Sequence, residues 1–192
     1  MKPVFQDFNG GGPLAGQVAG LYASAFPSDE RREPGEFLKM LCARPNFLCR
    51  AGVSPDDGRM LCFISYWDFG SFHYIEHFAV MPHLRGQGIG TAAMRDFIGN
   101  VSPTILLEVE PPAVTAGGVA ASACCDARRR VAFYQSLGFT LWSGFSYVQP
   151  PYSPDKSPVP MTLMTRGGLD SRHLPAAAAI VAAQVYGRQP EN

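Results

Sequence analysis

Apolar and polar positions follow two different periods along the first half of the chain, and each change of period marks a new element. Residues 3–9 alternate as a strand does, whereas residues 14–26 carry apolar side chains at helical spacing until Pro27. A second helix is predicted from about Pro34. Strands are predicted at 46–53, 58–69 and 71–81, the first two joined by the hairpin sequence SPDDG.

The second half continues with the same mixture of elements. A helix is predicted over about 88–99, and the consecutive apolar residues at 103–110 are typical of a strand buried on both faces. Residues 111–125 form a long loop without periodicity, and Asp126 is predicted to cap a helix that ends at Gly138. Strands at 139–149 and 159–165 and an alanine-rich helix at 175–186 complete one mixed α/β domain.

Composition and charge argue against several classes of binding partner. Sixteen basic and sixteen acidic residues cancel, so nucleic acid and anionic membranes are not expected as partners. The five cysteines lack metal-ligand spacing, and we expect no metal. The N-terminus has no apolar signal-peptide core and no apolar stretch could span a bilayer, so we expect a cytoplasmic protein. The sequence is compatible with a homodimer and does not fix the oligomeric state.

Gly86, Gly88 and Gly90 separate the strand at 71–81 from the following helix. Glycine adopts backbone angles that other residues avoid, and its missing Cβ lets a ligand approach the chain. The start of a helix adds unpaired N–H groups and a positive dipole end, so this hinge is suited to bind a diphosphate, with Arg85 as a charged contact. A tight turn that needs glycine for shape alone is the alternative.

Two segments resemble a known family. EHFAVMPHLRGQGIGTAAM, residues 76–94, is similar to the acetyl-CoA-binding motif of the GNAT superfamily of N-acetyltransferases, Arg/Gln-x-x-Gly-x-Gly/Ala, and RRRVAFYQSLGFTL, residues 128–141, resembles a later helix-to-strand segment. The resemblance covers roughly residues 1–166. It implies the GNAT acyl-CoA N-acyltransferase fold, an α/β (α+β) fold whose mixed central sheet is splayed at the fourth strand and flanked by helices. Residues 167–192 are expected to form a helical extension packed on or near this domain.

The resemblance also implies acetyl-CoA as cosubstrate and an amine as acceptor. Backbone groups of Phe78, Ala79 and Val80 would bind the pantetheine amides. The hinge and the Thr91 hydroxyl would bind the diphosphate. The cationic run at 128–130 would bind another phosphate of CoA. The implied contact residues are Arg85, Gly86, Gln87, Gly88, Ile89, Gly90, Thr91 and Arg129.

Transfer of an acetyl group to an amine needs a base, and Glu76 is the candidate. On a regular strand Glu76 would share a face with Tyr74 and Phe78, two residues before the splayed segment. Glu108, Glu110 or water are alternative bases. A strand carboxylate paired with a neighbouring cation is the structural alternative to any catalytic role.

The leaving thiolate needs a proton, and the resemblance assigns its delivery to Tyr134 beside the thioester, while Phe133 turns to the core. The cationic run at 128–130 would occupy the first turn of its helix, where the dipole disfavours positive charge unless a phosphate lies nearby. His73 and His77 stand at odd offsets from Glu76 and are expected to point to the opposite strand face.

Glu108, Glu110, Tyr74 and Tyr147 are the candidate substrate contacts. The expected function is therefore direct transfer of an acetyl group from acetyl-CoA to a primary amine of a small molecule or peptide. A non-catalytic acyl-CoA-binding sensor, or an acyltransferase that uses another acyl-CoA, are the alternatives. Thiol release in the presence of amines separates an enzyme from a sensor.

Overall fold

The computed structural model describes residues 2–101, 104–112 and 121–188. These residues form eight strands and five α-helices, which confirms the predicted mixed α/β class. The chain divides into two compact units, Met1–Pro103 and Thr104–Asn192. The predicted end of the main domain at residue 166 lies within the second unit and stays a prediction.

The first unit is built on four antiparallel strands that pair in chain order. The elements agree with the sequence prediction to within a few residues at each end. They are β1 (Val4–Asp7), α1 (Ala15–Ala25), α2 (Pro34–Ala43), β2 (Phe47–Val53), β3 (Met60–Asp68), β4 (His73–Val80) and α3 (Ile89–Asn100).

Aromatic rings join the helices of this unit to its sheet. Phe37 of α2 stacks on Tyr22 of α1 with ring centroids 4.2 Å apart, and it meets Phe47 of β2 edge-on at 5.8 Å. On the opposite face of the sheet, Tyr66 of β3 contacts Phe97 of α3 at 4.8 Å. Each fully buried ring contributes roughly 1.5–3 kcal/mol. The strand that leads into the glycine hinge is therefore held by a packed core on both faces.

A β-bulge interrupts the pairing of β3 with β4 at Glu76. Ser65 pairs with His77 and Tyr66 pairs with Ile75, so Glu76 is an extra residue without a partner position on β3. Directly paired residues of antiparallel strands point to the same face of a sheet. The extra residue therefore shifts the alternation of side chains by one, and the regular strand assumed for residues 71–81 is wrong at this point.

The second unit is organised around its longest strand, β8, with which three other strands pair antiparallel. Its first strand is buried almost throughout, as its consecutive apolar residues predict. The elements are β5 (Ile105–Val109), α4 (Ala121–Ser136), β6 (Thr140–Leu141), β7 (Tyr147–Gln149), β8 (Val159–Arg166) and α5 (Leu174–Gln184).

Two predictions for this unit are wrong. Residues 139–149 form two strands because a turn intervenes, closed by a 3.0 Å hydrogen bond from the Phe145 N–H to the Trp142 carbonyl. Asp126 does not cap α4, which begins at Ala121, more than a turn earlier. Two of the five residues before Asp126 are alanines, the strongest helix formers. The cationic run at 128–130 thus lies in mid-helix, and the argument from the helix dipole does not apply.

The segment after β8 packs back on the second unit. The Thr165 hydroxyl donates to the Leu169 carbonyl at 3.0 Å, and the Gly168 N–H donates to the Thr104 hydroxyl at 3.3 Å. α5 then buries Leu174, Ala177 and Val181. Of the helices that the structure describes, none is long and apolar enough to cross a membrane.

Candidate active site

β4 leads into α3 through a turn whose backbone conformation requires glycine. Gly86 and Gly88 have φ angles of 75° and 79°, in the left-handed region that L-residues rarely adopt. A Cβ built on either residue would meet no atom within 4 Å. The backbone angle, rather than a lack of space, therefore selects glycine here, and the side of the chain where a Cβ would stand is open.

This turn presents a continuous row of backbone N–H groups. Within the described part of the chain, the N–H groups of residues 86–91 make no hydrogen bond, whereas that of Ala92 donates to the Gly88 carbonyl at 3.0 Å. Gly88 stands at the N-cap and supplies no side chain to satisfy them. Unpaired N–H groups and a positive dipole end suit an anion. The hinge thus fits the CoA diphosphate that the sequence motif implies.

The side chains around the hinge are held by nearby carbonyl groups. The Arg85 Nε donates to the Val80 carbonyl at 3.3 Å, and the Gln87 Nε2 donates to the His83 carbonyl at 3.0 Å. Both side chains are exposed, and Thr91 is half-buried at the start of α3. The Arg85 side chain is therefore held at the junction of β4 and the N–H row.

The backbone of β4 offers alternate residues to its two edges. Because the Met81 N–H donates to the Leu61 carbonyl at 2.9 Å, the antiparallel ladder directs the peptide groups of Met81 and Ala79 toward β3. The peptide groups of Phe78 and Val80 point to the other edge of the strand. Of the three predicted pantetheine contacts, these two have peptide groups directed away from β3.

Glu76 is buried and engaged on both carboxylate oxygens. Oε1 forms an ion pair with Arg32, whose side chain is 8% exposed, and Oε2 accepts a hydrogen bond from the Trp67 indole N–H at 2.8 Å. The Arg32 backbone N–H in turn donates to the Tyr22 hydroxyl at 2.9 Å. Burial is the largest influence and acts to raise the pKa of Glu76, but the charge of Arg32, the neighbouring His77 and the hydrogen bonds from Arg32 and Trp67 together outweigh it and hold the pKa below its ordinary value. Glu76 is therefore ionised at neutral pH and paired with a cation.

His77 lies beside Glu76 on the face covered by α1 and α2, and the prediction that it points to the opposite face is wrong. Its ring contacts those of Tyr22 and Phe37, at 4.8 and 6.2 Å. The bulge is the cause, since it brings two consecutive residues to one face. The Nε2 of His77 lies 3.1 Å from the Glu30 carbonyl, so this nitrogen carries the hydrogen of a neutral imidazole.

We expect the stability of the protein to fall as pH falls from about 6.5 to about 4 because of His77. Burial lowers the pKa of His77 to about 4, whereas a histidine in an unfolded chain titrates near 6.5. The unfolded chain binds the proton first, so the free energy of unfolding decreases through this window, by up to about 3 kcal/mol. Urea unfolding at several pH values measures the slope.

His77→Gln should flatten that slope. His173→Gln is the matched control, since the His173 side chain is 53% exposed. A His77→Gln variant with the pH dependence of the parent protein would contradict the assignment.

Tyr134, rather than Phe133, is the buried member of the aromatic pair in α4. Tyr134 is 7% exposed and its ring lies 5.5 Å from that of Phe139, whereas Phe133 is half-buried, so the expectation that Phe133 occupies the core in its place is wrong. Burial raises the pKa of Tyr134 to about 12, which keeps the phenol protonated. Among the residues that the structure describes, none forms a hydrogen bond with its hydroxyl group.

Glu108 and Glu110 have different partners. Glu108 on β5 accepts hydrogen bonds from the hydroxyl groups of Tyr147 at 2.5 Å and Tyr186 at 3.3 Å. Glu110, just past the end of the strand, forms an exposed ion pair with Arg130 at 2.8 Å. The structure thus joins two predicted substrate contacts, Glu108 and Tyr147, and ties Glu110 to a cation.

Three further predictions concern Tyr74, Arg129 and the long loop. Tyr74 is 1% exposed and pairs with Trp67 across the sheet, so it belongs to the core of the first unit. Arg129 is exposed and forms an ion pair with Asp126 at 3.5 Å. Most of the predicted loop at 111–125 lies outside the described residues. Within the described ranges, no group of three or more His, Cys, Asp or Glu is arranged to hold a metal ion.

Sequence reasoning missed the contacts of Arg32 and Trp67 with Glu76 and of Tyr186 with Glu108. Arg32 stands in the polar segment SDERREP, where no local signal separates a buried arginine from exposed neighbours. For Trp67 the sequence offered one signal: a buried indole N–H needs a hydrogen-bond acceptor nearby. Tyr186 follows α5 in a segment that neither motif covers.

Comparison with known proteins identifies the family. The model of the GNAT acetyltransferase family matches residues 17–139. A solved GNAT-family protein from Bacteroides thetaiotaomicron shares 32% identity over 97% of this chain and 99% of its own, with a TM-score of 0.83. The chain belongs to the GNAT acetyltransferase family, which confirms the predicted fold and makes it an acyltransferase by descent.

More distant solved structures share the fold. An aminoglycoside 6'-N-acetyltransferase complexed with coenzyme A is 16% identical over 85% of this chain and 96% of its own, with a TM-score of 0.60. Arabidopsis thaliana NAA60 in complex with acetyl-CoA is 14% identical over 85% and 97%, with a TM-score of 0.59. No curated protein matches the chain at a significant level.

Proposed function

We propose that this protein transfers an acetyl group from acetyl-CoA directly to a primary amine of a small molecule or peptide. The observation that carries the proposal is the row of N–H groups at residues 86–91, which have no partner in the described chain and open at the start of a helix. Such a row fits a diphosphate. The family membership and the complexes of distant relatives with coenzyme A and acetyl-CoA support the choice of donor.

The hinge and the peptide groups of β4 that are directed away from β3 would hold the donor while the acceptor is positioned. When bound, acetyl-CoA supplies an already activated thioester. In this proposal the residues of the hinge bind the diphosphate, with Arg85 and Thr91 at its ends, and Phe78 and Val80 orient the pantetheine arm. Holding two reactants in line can by itself supply a large part of the rate enhancement.

Glu76 is proposed to take the proton of the acceptor amine, through water. Its lowered pKa keeps it ionised and able to accept a proton over the whole neutral range. Its ion pair with Arg32 makes it a weak base, so the proton would pass from the carboxylate back through water to the bulk solvent. Tyr134 is proposed to give a proton to the leaving thiolate, for which its protonated phenol is suited.

Thiol release from acetyl-CoA in the presence of a panel of primary amines tests the proposal. We expect equal amounts of free thiol and of singly acetylated amine, detected by mass spectrometry. A protein that binds coenzyme A by calorimetry but releases no thiol with any amine would be a sensor. Faster turnover with another acyl-CoA would reassign the donor.

Arg32→Met is expected to move the acid limb of the activity profile to higher pH. The substitution removes the cation that lowers the pKa of Glu76 while leaving the carboxylate buried, so that pKa rises. A base must be deprotonated, and activity is therefore lost at a higher pH than in the parent protein. The profile of kcat/KM between pH 4 and 9 measures the shift, on the order of one pH unit.

A double-mutant cycle of Arg32→Met and Glu76→Gln separates the effect on catalysis from the effect on folding. Arg32→Met alone leaves a buried charge unpaired and should destabilise the protein by about 3 kcal/mol, part of which the double variant with Glu76→Gln recovers. Arg44→Met, on an exposed side chain, controls for loss of positive charge. If the acid limb does not move in Arg32→Met, Glu76 takes no part in the reaction and is a structural residue.

A further inference from the structure

A cavity of about 410 Å³ lies in the first unit, beside the end of β1. It is lined by three consecutive residues of β2, Phe47, Leu48 and Cys49. Side chains of successive strand residues point to opposite faces of a sheet, so a cavity that meets all three lies along the edge of the strand. The pairing of β1 with β2 ends at Asp7 and Arg50. The cavity therefore lies where a longer β1 would cover the edge of β2.

The uncovered edge of β2 presents a hydrogen-bond acceptor next to a donor. Because the Phe8 N–H donates to the Cys49 carbonyl at 2.8 Å, the antiparallel ladder directs the peptide groups of Cys49 toward β1, and the Phe47 carbonyl shares that direction. Within the described part of the chain, the Phe47 carbonyl and the Cys49 N–H make no hydrogen bond. Cys49 is 3% exposed, and buried backbone groups are nearly always paired. This acceptor and this donor therefore call for a partner within the cavity.

The lining of the cavity offers an ion no unpaired charge. Among the described residues that line it, Asp7 is the charged one, and its carboxylate forms an ion pair with Arg50 at 3.0 Å. Burial raises the pKa of the Cys49 thiol, and burial with the nearby charge of Asp7 raises the pKa of the Tyr66 phenol, so both groups are neutral at pH 7. The cavity thus suits an uncharged molecule, since an ion would lose hydration without gaining an opposite charge.

The shape of the cavity favours a small molecule over an extended peptide. β2 begins at Phe47, so the open edge offers one acceptor and one donor, whereas a peptide that adds to a sheet needs a row of them. The loop after β1 and the buried side chains of Leu14 and Leu41 form further walls. Small-molecule sites are typically apolar cavities of about 300–1,000 Å³ in which a few polar groups orient the ligand. The volume and the lining of this cavity match that description.

We propose that this cavity binds an uncharged, planar heterocycle that carries a hydrogen-bond donor next to an acceptor, as a 6-aminopurine does. The ring would accept from the Cys49 N–H and donate to the Phe47 carbonyl, while Leu14 and Leu41 pack against its apolar faces. Both backbone groups are then satisfied, which a molecule with only a donor or only an acceptor does not achieve. The inference goes beyond the proposed function and does not depend on it.

The cavity is separate from the hinge proposed to bind coenzyme A. On β3, Cys62 pairs with Val80 at the end of β4 that leads into the hinge, whereas Tyr66 lines the cavity. The part of β3 between these two residues spans about 13 Å, at roughly 3.3 Å per residue. Saturating coenzyme A therefore occupies the hinge and leaves the cavity open to a second ligand.

Nuclear magnetic resonance titration of the ¹⁵N-labelled full-length protein tests the inference. 9-Methyladenine carries the donor next to the acceptor, and 9-methylpurine has the same ring without the amino group. With saturating coenzyme A present, we expect 9-methyladenine to shift the amide resonance of Cys49 and to bind at least about fivefold more tightly than 9-methylpurine. The amide resonance of Gly88, at the hinge, should respond to neither purine.

Two outcomes of this titration would overturn the inference. One is equal affinity for the two purines, and the other is a Cys49 resonance that stays in place at millimolar 9-methyladenine. Failure of coenzyme A itself to bind would overturn the proposed function, and the shift of the Cys49 resonance would still decide the present inference.

Two variants locate the ligand. Leu48→Trp places a larger side chain in the lining and should weaken binding of 9-methyladenine at least about tenfold. Val4→Trp is the matched control, because Val4 is also an exposed apolar strand residue, on β1 and outside the lining. Thermal unfolding shows that each variant folds, and the titration of the parent protein stands by itself if one does not. A folded Leu48→Trp protein with the affinity of the parent would place the ligand elsewhere.

Discussion

Gly88→Val is expected to lower the affinity for coenzyme A by about 100-fold or more while the protein still folds. Valine at a φ of 79° would drive the backbone out of the left-handed region and change the arrangement of the unpaired N–H groups at residues 86–91. Hydrogen bonds to a charged group contribute about 1.5–3 kcal/mol each, so losing two of them accounts for this factor. Calorimetric titration with coenzyme A measures it.

Gly58→Val is the matched control. Gly58 has a φ of 69° in the hairpin turn, and, like Gly88, it has no atom within 4 Å of where a Cβ would stand. Both substitutions therefore bring the same kind of backbone strain, and both proteins should lose similar amounts of thermal stability. Unchanged affinity in Gly88→Val, or an equal loss in Gly58→Val, would show that the hinge does not bind the diphosphate.

Tyr134→Phe is expected to lower kcat by about 10²-fold or more, the range of general-acid contributions. The ring and its contacts with Phe139 remain, and only the hydroxyl is lost. Because that hydroxyl makes no hydrogen bond among the described residues, the free energy of unfolding should change by less than about 0.5 kcal/mol. Steady-state kinetics with the best amine of the panel gives kcat, and denaturant unfolding gives the stability.

The pH profile adds a second readout for Tyr134. With a pKa of about 12, its phenol remains protonated through the neutral and mildly alkaline range, so it should cause no alkaline loss of activity below about pH 11. A variant that turns over at the rate of the parent protein would make Tyr134 a packing residue, with the thiolate protonated by water or by the amine.

The hinge and most elements could be predicted because their signals are local. Glycine spacing, apolar periodicity and proline stops all lie within a few residues of the structure they determine, and the helix at 88–99 forms at Ile89–Asn100. The prediction of a single strand at 139–149 is wrong although the signal for its division is also local. Its apolar residues suit a strand, but the Ser143–Gly144 pair is typical of a turn and divides the segment into two strands.

The surroundings of the candidate catalytic residues could not be predicted, because their contacts are distant in sequence. Arg32 reaches Glu76 across 44 residues, and Tyr186 reaches Glu108 across 78. The prediction for Asp126 was wrong for another reason. Asp126 suits an N-cap, but alanines that favour helix precede it, and the helix begins at Ala121. Only the packed chain decides between such competing local preferences.

The bulge at Glu76 makes this carboxylate an insertion into an otherwise regular strand. Without residue 76, the side chains of Tyr74, Ile75 and His77 would alternate strictly, and their pairing with Trp67, Tyr66 and Ser65 would be continuous. A single codon could therefore add or remove the negative charge without turning any other side chain of β4 to the wrong face. Loss of residue 76 would remove the carboxylate with which Arg32 forms this ion pair.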